Sequence, residues 1–556
     1  MGAQTYTRNT IPMKGLYTSA VSDLLTPEYT PWCKNVRFRF GNVQRAPGRS
    51  KVMQTLALRN IMDFNTFTDA EGMKSLVMLC ASDLTDDAFA VYDDSVFQFG
   101  SPVNMGTPAV WNVRFSSTQG EERLFACRAS VISALKETSP GVWGVEVLTS
   151  PKGCFLEYFN NRVILMRLLT PTDPTGTNQT SVLGASQLQW SKQGDYTDWL
   201  VTTGHGGFLE LYDGSVEPIT GGKVLNDRLA VYRRNSISDI VVTGIDTAPF
   251  LPQSRVNGIG CAFPWTLASA GQFHIFVAND FNIYMWDGAR LNAIGTPIHS
   301  LVRQLIDVDS KDLSMVTDWR SLPFATMFMG FKEYHLAIPS LNGDVTILIY
   351  DYLRDSWTRD VISGLSAFYE WQQKLSSDSG NVFELLAYPE IFPTLVAGDN
   401  KDYFIIDERI VGDYLQSGSM GGMEMYFDSP DMYYGKEGVT NGTLERIVVS
   451  QTPPARLQEA SYIVEVSTDR GRTFEAGLPV VPTYAQQGYE FVDFNITSNV
   501  RRYRFRYPES SSAAKPSWRA YTDLFIPSGE FFPTKLDIEA PYGIWDETFW
   551  DLCLWG

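Results

Sequence analysis

Apolar residues in this chain fall into short runs that are apolar on both faces and are separated by polar turns. The clearest unit is Phe273–Gly288, which reads FHIFVAND and then FNIYMWDG. Phe273, Ile275 and Val277 share one face of the first run, and His274, Phe276 and Ala278 share the other. In the second run Phe281, Ile283 and Met285 face one way, and Asn282, Tyr284 and Trp286 the other. A strand with one face in water alternates apolar with polar, whereas a strand apolar on both sides lies between packed layers. Short two-sided hairpins are expected of propeller blades, because each blade is packed between two others.

The pattern recurs along the chain. Apolar strands group at 61–68, 74–82 and 88–99; at 111–117, 122–130 and 142–148; and at 154–169 around an Asn160-Asn161 turn, continued at 188–199. Further groups lie at 208–214 with 228–242, at 262–295, at 334–360 and at 366–410. Together they predict an all-β chain with a β-propeller of about seven blades (six to eight), each of roughly 35–45 residues, the period of four-stranded blades. Tyr350–Trp357 is similar to a kelch-type blade ending, in which a Trp packs under the turn. One helix interrupts the pattern between the fifth and sixth groups. Thr296 is placed to cap it, Pro297 suits its first position, and Ile298, Leu301, Val302 and Leu305 share an apolar face.

The flanking segments read differently. Residues 1–58 form an arm, ahead of the propeller at 59–412, and include a compact hairpin: Val36, Phe38 and Phe40 alternate, a Gly-Asn turn follows, then Val43 and a Pro-Gly stop. Such an arm buries little alone and is expected to lie on the main body or on a neighbouring subunit. Residues 413–440, rich in Gly and Met, read as a linker. Strands at 444–450, 461–467, 489–496, 500–507 and 519–526 predict a C-terminal β-sandwich-like domain over 441–535. A tail at 536–556 concentrates Trp545, Phe549, Trp550 and Trp555. Exposed aromatics at a terminus imply docking, so these four, with Phe38 and Phe40, are the candidate subunit-interface residues.

Composition narrows the function. At 556 residues and 44% apolar content the chain supports a large core, and a net charge of −18 without any basic run disfavours a grip on nucleic-acid phosphates. The six cysteines show no CxxC pair, so neither a disulfide framework nor a zinc site is expected. No apolar stretch approaches a membrane span, the N-terminus lacks a signal-peptide core, and stable membrane association is not expected; MGAQTYT matches a myristoylation start only superficially. Of the four histidines, His274 and His335 fall on inner strands, where a packed imidazole is expected. There is no HExxH, GxSxG or P-loop motif. Ser467–Phe474 (STDRGRTF) resembles the Asp-box of sialidases, which is a structural turn. No catalytic, cofactor-binding or metal-binding residue is assigned, and the chain is expected to be no enzyme.

The order of several motifs resembles the tail nozzle, or tail hub, proteins of short-tailed bacteriophages. The arm carries Asn35, Val36, Gly41, Arg45, Pro47 and Gly48; Trp190–Tyr196 reads WSKQGDY; Arg228–Ile237 reads RLAVYRRNSI; and GTPIHSLVRQL opens the helix near 296. The resemblance covers roughly residues 5–410. It implies a structural virion protein assembled in the bacterial host cytoplasm: a homohexameric ring below the portal-adaptor ring, in contact with tail fibres or a tail needle. Genomic DNA would be held behind it and then pass through its lumen without specific binding, and an acidic lumen would avoid braking that passage. The alternative is a propeller-type glycan-binding or glycan-cleaving receptor-recognition protein, which predicts a central pocket with clustered acids or arginines.

Overall fold

A computed structural model describes residues 5–39, 41–52, 59–72, 74–82, 87–93, 98–99, 101–106, 113–139, 141–169, 184–211, 217–306, 318–371, 394–399, 402–407, 413–414, 423–433, 442–451, 462–477, 479, 489–508 and 517–527. Among these residues the strands form nine sheets, seven of which follow one another along the chain as antiparallel blades. Their own strands lie within 59–106, 116–147, 153–210, 219–257, 268–293, 324–363 and 365–407. The first strands of successive blades touch in turn, and the first strand of blade 7, Leu365–Trp371, meets that of blade 1, Arg59–Thr68. The ring is therefore closed, and the chain is a seven-bladed β-propeller.

The local signals act as the pattern predicts. In blade 5, strand His274–Val277 pairs with Ile283–Trp286 in the register His274↔Trp286 to Val277↔Ile283, and all of His274–Val277 is buried. The Asn160-Asn161 turn of blade 3 has φ of 51° and 54° at its two central residues. Two positive values in succession suit the turn whose twist matches flanking strands, and Asn tolerates them. Blade 6 places Trp357 between blades: its ring lies 4.9 Å from Tyr350, and its indole Nε1 donates to the carbonyl of Ile294 at 2.9 Å.

Two groupings differ from expectation. Strand Gly207–Glu210 belongs to blade 3, where it pairs with Gln187–Trp190; blade 4 begins at Ile219 and runs to Asn257. The physical reason is close packing, since a Cβ on Gly207 would sit 2.6 Å from the Trp190 ring. The helix is also shorter than expected. A 3-10 turn spans Thr296–Ile298 with Gly295 as its cap, and the α-helix covers only His299–Leu305.

The arm is shared among four sheets. Gly48–Val52 is the fourth strand of blade 7, antiparallel to Asp402–Asp407. Gly15–Leu16 and Tyr29–Thr30 extend blade 6 with parallel pairings. The hairpin Val36–Arg39 with Asn42–Arg45 joins one sheet of the C-terminal sandwich, as does Thr5–Thr10, and Cys33–Lys34 joins the other. That second sheet also contains Met425–Asp428 and Met432–Tyr433, which lie in the stretch read as a linker. One apolar core runs without a break from Leu444, Ile447 and Phe505 of the sandwich, through Val36 and Phe38, to Trp357 and Ile298 beside the blades. Phe38 is 1% exposed. Its place as a candidate interface residue is corrected: it fills this chain's own core and leaves no surface for a neighbour. Phe40, Trp545, Phe549, Trp550 and Trp555 lie outside the described residues.

Buried charge fixes the arm to blade 6. Arg37 donates through Nη1 and Nη2 to the Asp360 carboxylate at 2.9 and 2.7 Å. Arg39 pairs with Glu333, whose other oxygen meets His335 Nε2 at 2.9 Å. Burial alone would raise the Glu333 carboxyl, but Arg39, the His335 hydrogen bond and Arg37 outweigh it and hold it well below the carboxylate range. The Asp-box-like turn is structural here: Gly471 N donates to Ser467 Oγ at 2.7 Å and Thr473 N to Asp469 Oδ1 at 2.8 Å. The five described cysteines are buried, and Cys553 lies outside the described residues.

Candidate functional site

A propeller brings the first strand of every blade to one axis, so residues remote in sequence converge there. In this chain a cavity of about 220 Å³ lies on that axis and is lined by all seven blades, from Asp63 in blade 1 to Tyr369 in blade 7. A second cavity, of about 570 Å³, shares Lys223, Leu267, Ala325, Thr326 and Tyr369 with it. The two form a throat opening into a wider mouth.

Aromatic rings narrow the throat. Phe324 lies 5.1 Å from Phe368 and Phe155 lies 5.7 Å from Trp265. The Trp265 indole crosses the axis to donate to the carbonyl of Phe115 at 3.1 Å, which fixes its ring. Among these rings sits Arg114, 3% exposed, with its guanidinium 3.9 Å from the centre of Phe324. Its Nη1 donates to the carbonyls of Ser366 at 2.7 Å and Met62 at 3.3 Å, tying blade 2 to blades 7 and 1. Burial lowers the Arg114 guanidinium to about 9, although Asp63 and Asp318 oppose the shift.

Asp63 is the acidic group of the throat. One carboxylate oxygen accepts the Phe64 N–H at 2.9 Å. Burial pushes the carboxyl up to about 6, against that hydrogen bond and the charges of Arg114 and Lys223. Around it, polar side chains link adjacent blades. Asn65 Nδ2 donates to Ser117 Oγ at 2.7 Å, and Thr66 Oγ1 lies 2.8 Å from the Tyr369 hydroxyl. At the mouth Lys223 Nζ meets Glu157 at 3.0 Å, and Glu370 accepts the N–H groups of Met329 and Gly330 at 2.6 and 3.0 Å.

An acid whose carboxyl is raised by folding is stabilised in its neutral form. From an ordinary value of 3.8 to one of about 6, folding free energy is lost as pH rises through that window. Asp63→Asn, which keeps an acceptor for Phe64 N–H, is therefore expected to be more stable than the native chain at pH 7, by on the order of 1–3 kcal/mol. The gap should close towards pH 4. Denaturant melts across that range check it, and a variant less stable at pH 7 would show that the carboxylate is held charged.

Sequence reasoning missed this site. Its signal was present: Asp63 interrupts an apolar run, and Arg114 stands between Val113 and Phe115. The histidines are placed as expected. His274 is fully buried, with Nδ1 2.8 Å from the Tyr232 hydroxyl and Nε2 3.1 Å from the Val224 carbonyl; burial lowers it to about 4, so it is a neutral packing element. Among the described residues no group of three or more His, Cys, Asp or Glu side chains could hold a metal ion, and no helix is long and apolar enough to cross a membrane.

No protein-family model and no curated protein matches the chain. Among solved structures, the chain is similar to a glycoside hydrolase family 43 arabinoxylan arabinofuranohydrolase from Bacillus subtilis, in complex with cellotetraose. The match has a TM-score of 0.23 and 11% identity, and covers 86% of this chain and 95% of that one. The matched protein is an enzyme, against the expectation that this chain is none, and at that TM-score its activity, substrate and catalytic residues do not carry over to this chain.

Proposed function

We propose that this chain is a structural subunit of a short-tailed phage tail nozzle, assembling as a six-fold ring on the head-to-tail connector. The observation that carries the proposal is the place of the arm. The hairpin bearing Asn35, Val36, Gly41 and Arg45 is built into the sandwich, and the strand starting at Gly48 is built into blade 7. Asn35, with φ 54°, makes the turn from strand Cys33–Lys34 into the hairpin, its N–H donating to the Arg359 carbonyl and its side chain to the Glu424 carbonyl. A ring subunit that holds DNA under pressure needs domains that do not swing, and a shared core with buried ion pairs supplies that stiffness. Two of the remaining motifs also serve as joints. Tyr196 of the WSKQGDY segment packs on Phe125 and beneath Arg123 of blade 2, and the helix starting at His299 holds the arm through Ser300 and Thr18. Mixing the purified chain with portal-adaptor rings should give six-fold rings by negative-stain microscopy and a matching mass by native mass spectrometry. A chain that stays monomeric and ignores the connector overturns the proposal.

A second reading, a propeller-type glycan-recognising or glycan-cleaving protein, is favoured by a different observation. The axial cavity combines aromatic walls with Asp63, Arg114 and hydrogen-bonding side chains. Retention on immobilised bacterial surface polysaccharide, or its cleavage, is the corresponding test.

A further inference from the structure

We propose that the axial throat seats one unit of a neutral saccharide, entered from the mouth beside Lys223 and Glu370. This inference rests on the second reading above and names its ligand class and place.

Size comes first. A cavity of about 220 Å³ is far larger than the roughly 10–15 Å³ that one water needs. It shares five lining residues with the mouth of about 570 Å³, whose size is within the range of ligand clefts. The throat therefore has room for a single ring and the mouth for the units attached to it.

Charge then selects the class. Most charged groups at the axis already have a counterpart, and Lys74, at the mouth, is exposed. Lys223 is paired with Glu157, and both Glu370 oxygens accept backbone N–H groups. Arg114 spends its Nη1 on two carbonyls, and its charge opposes the upward shift of the Asp63 carboxyl. In the throat an anionic ligand such as a phosphate ester would find Lys223 already paired and Arg114 with its Nη1 engaged by two carbonyls, while Lys74 lines only the mouth. It would also meet the Asp63 carboxyl, so the balance favours a neutral molecule.

The lining supplies the rest. Sugar rings present C–H faces and equatorial hydroxyls, so they are held by aromatic planes with a few fixed polar groups between them. Phe155, Trp265, Phe324 and Phe368 give the planes, and the Trp265 orientation is locked by its hydrogen bond across the axis. Asp63 has one oxygen engaged by Phe64 N–H, which leaves the other for a ligand hydroxyl. Asn65, Ser117, Thr66 and Tyr369 are held by one another in a polar belt around the same space. Because every blade contributes, the site exists only in the closed ring.

The test is calorimetry and tryptophan fluorescence with glucose, galactose, mannose, xylose, arabinose and their short β-linked oligomers. Sodium phosphate and adenosine monophosphate serve as anionic probes. Two variants accompany the native chain: Ala325→Trp, which fills the junction of throat and mouth, and Asp63→Leu, which removes the acceptor while keeping a branched side chain. At least one neutral sugar should bind saturably, the anions should not compete, and each variant should weaken binding by about tenfold or more. Should Ala325→Trp fail to fold, Asp63→Leu decides. Saccharide binding that survives both variants sinks the throat assignment and leaves the second reading standing. Competition by phosphate overturns the neutral class, and no binding of any sugar or oligomer overturns the throat as a saccharide site. The second reading itself falls only if the polysaccharide is neither retained nor cleaved.

Discussion

Replacing Glu333 by Ala is expected to destabilise the protein by about 3–5 kcal/mol, the usual cost of removing one partner from a buried ion pair. Glu333 is 2% exposed and is shared by Arg39, Arg37 and His335, so its loss leaves Arg39 without this carboxylate in the space between arm and blade 6. Arg37 retains Asp360, and that should keep the variant folded at low temperature. The two partners of Glu333 on the arm lie in the sandwich hairpin, and Glu333 and His335 lie in blade 6. Equilibrium unfolding should therefore lose cooperativity as well as midpoint, with the sandwich and propeller separating by different probes. The pH dependence has a definite sign. A carboxyl held below its ordinary value of 4.5 contributes stability above that pH and loses it as the medium becomes more acidic. Glu333→Ala should accordingly show a shallower loss below pH 4.5 than the native chain. A change of under about 1 kcal/mol, typical of exposed pairs, would mean that the cluster contributes only packing.

The parts of the fold that could be seen in the sequence are those built from neighbours. The hairpin of blade 5 and the Asn160-Asn161 and Asn342-Gly343 turns declare themselves, because pairing partners lie within a few residues and a positive φ selects Asn or Gly. What stayed hidden is non-local. Gly15–Leu16 is a two-residue strand that pairs in parallel with a strand some 340 residues away, Gly15↔Trp357, and no periodicity develops over two residues. Gly207–Glu210 was drawn into the wrong group because a loop of 16 residues, 191–206, separates it from its partner strand. The axial site is the extreme case. Asp63, Arg114, Lys223 and Trp265 come from four blades, and only ring closure makes them neighbours. Single charges inside apolar runs were the available trace, and their meaning depended on which end of each strand met the axis.

Gly15→Val is the other change expected to have a large effect. Gly15 has φ of +79°, where a β-branched residue is strained by about 1–3 kcal/mol. It also runs directly against blade 6: a Cβ there would lie 2.4 Å from the Trp357 carbonyl oxygen and 2.9 Å from its nitrogen. Those are backbone atoms of a paired strand, so they cannot rotate away as a side chain would. The adjacent Leu16 is fully buried, and the following Thr18 N–H donates to the Pro297 carbonyl, so displacing Gly15 pulls a core residue and a helix contact with it. The combined cost should reach several kcal/mol, and the arm should become cleavable near residues 12–30 while the blades remain resistant. Gly41→Val is the control. Gly41 has φ of +73° but no atom within 4 Å of a Cβ position, so it carries the strain without the clash. If limited proteolysis finds both variants equally protected, Gly15 matters only for its conformation. If only Gly15→Val releases the arm, the close approach to Trp357 is what locks arm, blade 6 and sandwich into one body.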